Sequence, residues 1–237
     1  FFGVITSSIA LTAISYGIIE SSEYGWWTAL KPYTAFNQIL NFWGLSVTPV
    51  LLAIGFAFLA IFIWWENKLT KTGGQPLVDF NIFRNKQFTV GVMASGVLFS
   101  AFVGIITFGI ALFYQKVLNL SAFDSGIGLV PISLAVFFVA PFSNKISKKI
   151  SAKIAILIGL AIAVVASYLI YNALGLQATR ITFILPLALF GIGFGLLASQ
   201  LSSLTLESVN RNEAGVASGI NGTIREVGKT FGAAIIG

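Results

Sequence analysis

Apolar residues run through this chain in blocks far longer than a soluble core element needs. Six stretches, roughly 1–19, 43–65, 88–114, 122–142, 154–172 and 181–204, meet or approach the ~20 apolar residues that cross a bilayer as a helix. A seventh begins near residue 214 and is still running at 237. None shows the period-two alternation of an outer-membrane barrel, and all are too long for ordinary strands. The pattern predicts an all-α polytopic transmembrane bundle of six to seven spans.

The polar residues collect in the gaps, and only one gap is substantial. Residues 66–87 open with Lys, Thr and a Gly-Gly pair, which predicts a flexible linker. After Pro76, the spacing of Leu77, Phe80 and Phe83 predicts a short helix lying along the membrane interface. This divides the chain into two helices in 1–65, a linker, and a larger bundle in 88–237. Both ends fall inside apolar runs and the first residue is not Met, so a fragment of a longer protein is expected. The first run has no basic n-region and no cleavage site of small residues, which argues against a signal peptide.

Charge then gives the bundle a direction. Alternate gaps share a side of the membrane. Lys68, Lys71, Arg84, Lys86, Lys145, Lys148, Lys149, Lys153, Arg211, Arg225 and Lys229 fall on one side, leaving Lys31, Lys116 and Arg180 for the other. Basic residues stay in the cytoplasm, so the crowded side is predicted to be inside. The lysine loop around 143–153 is read as this orientation signal, with anionic headgroups as its secondary partner. Nucleic acid is not expected, because no recognition module accompanies the lysines. Trp26, Trp27, Trp43, Trp64 and Trp65 flank the first two runs, where headgroup anchors belong.

Composition narrows the chemistry. The 237 residues are 57% apolar and only 9% charged, with a mean hydropathy of +0.91, far from a soluble domain. There is no Cys and no His, which removes disulfides, His- or Cys-based metal sites and His-assisted nucleophiles. The "ASG" at Ala94–Gly96 is therefore not read as a serine nucleophile. No catalytic constellation, metal site or cofactor is expected, and the protein is not read as an enzyme.

Small residues are the dominant motif inside the runs. Gly191 and Gly195, Gly215 and Gly219, and Gly228 and Gly232 each stand four apart, which predicts close helix packing on one face. Although "GIGFG" has a nucleotide-loop look, it lacks the strand and spacing of one.

The order "PLVDFNIFRNKQF", "FYQKVLNLSAFDSGIGLVP", Pro141, the lysine loop, "GIGFGL" and "GVASGINGTIREVGKTFG" resembles the fourteen-helix drug:proton antiporters of the major facilitator superfamily, the EmrB/QacA type. The resemblance implies that the first two spans are extra central helices and the rest most of a C-terminal half. It also implies a missing N-terminal half, an exported small-molecule substrate, protons as coupling partner, and a home in the plasma or bacterial inner membrane. The sequence departs from the family in the loop after Pro141. Asn144, Lys145, Lys148, Lys149 and Ser151 stand where Gly, Arg, Asp, Arg and Gly are usual, so the acidic half of a charge latch is lost. Lys229 replaces a usual glycine. Asn221, Arg225, Gly228 and Gly232 match, as does Gln115 beside Tyr114.

The first six runs hold no charge in their interiors, so cavity-lining residues are sought among milder groups. The candidates are Phe102, Phe108, Gln115, Ser199, Gln200, Asn221 and Arg225. For Phe102 and Phe108, lipid contact or core packing outweighs ligand stacking, and for Ser199 and Asn221 interhelical hydrogen bonding outweighs cavity lining. For Arg225 the preferred reading is that it and Lys229 snorkel to headgroups while Glu226 pairs with Lys229. The alternative places Arg225 at the mouth of a central cavity, some 16 Å along its helix. The function expected is export of amphipathic compounds by proton antiport and alternating access. The same fold carrying an amino acid, sugar or siderophore, or a non-transporting scaffold, are the rivals.

Overall fold

The computed structural model describes residues 1–35, 38–40, 44–175 and 177–236. Trp43 and the side chains of Ala35, Gln38, Ile39, Leu40, Ile105, Asn144, Lys148 and Ile236 lie outside the described residues.

Helix α1 (Phe2–Tyr24) and α2 (Val47–Lys71) form an antiparallel pair. They approach through glycine: a methyl group on Gly55 would meet the Ala10 carbonyl at 3.1 Å, and one on Gly17 the Leu51 Cβ at 3.1 Å. Between them lies a two-stranded hairpin that the hydropathy pattern did not signal. Strand β1 (Tyr33–Ala35) pairs with β2 (Gln38–Leu40), Tyr33 opposite Leu40. Ser46 then caps α2 by accepting the Thr48 N–H at 3.2 Å.

The third span is one continuous helical column. It comprises α3 (Lys86–Phe99), a π-helical stretch at Ser100–Phe108 and α4 (Gly109–Lys116). Then come α5 (Ala122–Gly128), α6 (Val130–Ile150), α7 (Ala152–Ala173), α8 (Arg180–Glu207) and α9 (Ala214–Ile236). Among the described residues, six helical segments are long and apolar enough to cross a membrane, the third being the whole column from Lys86 to Lys116. The charged α9 is not among them, yet it runs parallel to α3, from Ala217 beside Phe88 and Val92 to Gly232 beside Ser100.

Helix α8 is the hub. It is 56% buried over its apolar window, where the other spans reach at most 28%. Its "GIGFG" turn works on two faces. Gly191 meets the Ile132 carbonyl and Ala135 of α6, and Gly195 lies against Val139 of the same helix. Gly193, pointing the other way, would place a methyl 2.7 Å from the Gly159 carbonyl of α7.

Three features of the gaps differ from expectation. First, the linker starts later, because α2 continues to Lys71. Its Glu66 is only 2% exposed and accepts the backbone N–H groups of Leu77 at 2.5 Å and Val78 at 3.2 Å. Second, the helix after Pro76 is a single 3₁₀ turn, Phe80–Arg84, capped by Asp79. Leu77 lies outside it, and Ile82 is buried with Phe88, Val92 and Ala217 rather than lying on a lipid interface. Third, the lysine stretch is not a loop. Lys145 and Lys149 are exposed on the last turns of α6, and Lys153 on the first turn of α7. One residue, Ser151, makes the break, with φ 71° and ψ 152°.

That conformation is essentially reserved for glycine, because a Cβ collides with the backbone there. Ser151→Gly should therefore raise stability by about 1 kcal/mol. The thermal midpoint of the detergent-solubilised protein reads this out, and an unchanged or lower midpoint would show that the turn is not strained.

Candidate functional site

The charged and aromatic groups inside the bundle converge where α9, the α3 column and α8 meet. Side chains on a helix lean toward its N-terminus, so Arg225 turns back along α9. Its Nη2 donates to Ser202 Oγ of α8, and the guanidinium lies 4.6 Å from the ring centre of Phe99. Lys229 comes to the same ring, its Nζ 5.5 Å from the centre, and pairs with the Glu226 carboxylate at 2.6 Å. Both cations thus sit over an aromatic face, a favourable contact for a charge removed from water.

Phe99 begins an aromatic ladder. It meets Phe194 edge-on at 5.1 Å, and Phe102 stacks on Phe194 and on Phe190 with interplanar angles of 12° and 8°. One helical turn away on the same faces lie Ser95 and Asn221, i−4 from Phe99 and Arg225. Ser95 Oγ, Asn221 Oδ1 and Arg225 Nε are buried with no hydrogen-bond partner among the described residues. Tyr114 Oη, further along the column, is the other such atom among the described residues, and a bound polar group or water would satisfy the three beside Phe99 and Arg225.

The other predicted residues do not join this centre. Gln115 is exposed at the far end of α4, and Phe108 is 38% exposed. Ser199 donates to the Ala140 carbonyl at 3.3 Å and Gln200 donates to Ser143 Oγ at 2.8 Å, so both tie α8 to α6. Arg225 does not snorkel past the helix end, because Ser202 and Phe99 hold it inside the bundle. Of the glycines, Gly228 and Gly232 pack against the Gly96 and Ser100 carbonyls, whereas Gly215 and Gly219 face open space. Among the described residues nothing packs on that second pair, because α9 turns its other face to the α3 column. Ser202, Phe99 and Phe194 were missed by sequence reasoning. The i, i+4 spacing of Phe190 and Phe194 on one run was the available signal.

Across residues 33–233 the chain matches the family profile of the Major Facilitator Superfamily. This chain belongs to that superfamily. The facilitator chain is 25% identical to the multidrug resistance protein Stp of Mycobacterium tuberculosis over 235 residues, 99% of this chain and 39% of Stp. It is 24% identical to the probable actinorhodin transporter of Streptomyces coelicolor over 238 residues, 99% of this chain and 38% of that protein. To the quinolone resistance protein NorB of Staphylococcus aureus it is 29% identical over 198 residues, 81% of this chain and 42% of NorB. The facilitator chain thus spans about two fifths of the length of these relatives. With six apolar spans and this membership it is a multi-pass membrane protein.

Proposed function

We propose that this segment is part of a secondary active transporter that exports amphipathic drugs or other small lipophilic compounds in exchange for protons. The observation that carries the reading is the match of nearly the whole chain to proteins named for multidrug resistance and for actinorhodin transport. The lysine-rich ends of α6 and α7 are then cytoplasmic. The ladder Phe99, Phe102, Phe190 and Phe194 supports it as an apolar wall of the kind that receives lipophilic cargo. Gln115, Phe108, Ser199 and Gln200 are not assigned to the cargo path. Asn221, Arg225 and Phe102 are. In this reading the partners are the bilayer, the cargo, protons and the remaining spans of the full-length protein, and no cofactor takes part.

The test is to express the full-length protein in cells stripped of their own efflux pumps. Resistance to lipophilic dyes and antibiotics should rise, and cargo added to proteoliposomes should release protons from the acidified side. If neither resistance nor proton movement responds across a broad cargo panel, the reading gives way to a different solute or to a scaffold.

A further inference from the structure

Helix α9 carries a charge pair whose acidic member lies on a face left open among the described residues. Glu226 lies about 18 Å from the start of α9 at ~1.5 Å per residue, level with the first third of the α3 column, since Gly228 packs on Gly96. Its side chain is 71% exposed, and its ion-pair partner among the described residues is Lys229, one turn further on and 30% exposed. On the same face, toward the lysine-rich side, Gly215, Gly219 and Gly222 have nothing within 4 Å of the space a side chain would take. The pair therefore stands beside an unobstructed track along α9.

Among the described residues, Arg225 is the other charge at this level. Arg225, on the neighbouring face of α9, is engaged by Ser202 and Phe99. The α3 column carries only Lys86 and Lys116, at its two ends. Helix α8 carries only Arg180 and Glu207, likewise terminal, and α1 only Glu20 and Glu23 near the end opposite Phe2. With Arg225 and Lys229 against one carboxylate, this stretch of α9 holds an excess positive charge.

We propose that Lys229 is a specificity-determining residue: a tethered ammonium that occupies Glu226 and so turns the site away from cationic cargo and toward neutral or acidic amphipathic compounds. The chemistry is competition for one anion. A cationic cargo gains from Glu226 only by displacing an ammonium held 2.6 Å away on the same helix, at the high effective concentration that tethering confers. A neutral or acidic compound faces no such contest, and an acidic one meets the excess positive charge. The Phe99 ring, 5.5 Å from the Lys229 Nζ, helps hold the ammonium in place between transport cycles.

This inference rests on the export reading, and the test separates the two. Binding of tetraphenylphosphonium, as the cationic probe, and of a neutral lipophilic dye is measured on the purified full-length protein. Lys229→Met should bind the cation about tenfold tighter than the parent, with any change in the neutral dye well below that gain. Lys229→Arg should behave like the parent, and Glu226→Gln added to Lys229→Met should remove the gain. Lys229→Gln provides a second neutral variant should the methionine protein fold poorly. No gain in either neutral variant, or a gain that survives Glu226→Gln, overturns the assignment. If the gain appears as described while the parent moves no cargo and no protons, the export reading fails and the binding role of Lys229 stands.

Discussion

Gly228→Ala and Gly232→Ala should each destabilise the protein by about 2–3 kcal/mol, the upper part of the range for forcing an extra carbon into a packed interior. A methyl group at Gly228 would fall inside contact distance of the Gly96 carbonyl, and one at Gly232 inside that of Ser100. Both obstacles are backbone atoms of a neighbouring helix, so no rotamer change relieves them. Helix α9 would have to move off the α3 column, taking Arg225 away from Phe99. Gly215→Ala and Gly219→Ala are the controls. Their side chains would enter open space, and alanine is the better helix former, so stability should hold or rise by less than ~1 kcal/mol. Thermal midpoints of the four variants in one detergent decide the matter. Equal losses at all four positions would mean that glycine is needed on α9 for some reason other than this contact.

The second large effect is expected at Glu66. Its carboxylate is buried, and one oxygen receives two backbone N–H groups of the linker. Glu66→Ala leaves both donors without an acceptor, a loss of about 2 kcal/mol for charge-assisted bonds of this kind. The linker should then open about thirty-fold more often, given a factor of ten per ~1.4 kcal/mol. Tryptic cleavage after Lys71 reads that opening, and Glu66→Gln, which keeps one acceptor oxygen, should fall between the parent and alanine. A cleavage rate that ignores both substitutions would show that Gln75, Pro76 and their neighbours are held by something other than this acid.

The spans were legible because long apolar runs leave a helix as the only way to satisfy the backbone in lipid. Their ends were not. Helix α2 runs on through Glu66 to Lys71 and α6 through its lysines to Ile150, since a helix continues past the apolar run until a residue such as Ser151 breaks it. Glycine spacing announced close packing without saying where. "GVASG" and "GKTFG" have the same spacing on one helix, and only the position of α3 makes the second a contact and the first an open face. Arg225 was legible as unusual, but its partner Ser202 lies on another span and no sequence period links them. Glu66 was overlooked because it stands one residue beyond an apolar run and takes its meaning from the fold of the linker.

The two kinds of glycine also set where this protein is free to change over generations. At positions 191, 193 and 195 a larger residue would wedge α8 away from α6 or α7, so inherited variation there should be purged. At 215, 219 and 222 the bundle places no such demand. A side chain gained at those three sites would alter the surface beside Glu226 without meeting any described residue. Inherited variation should therefore accumulate along that strip of α9, one tolerated substitution at a time.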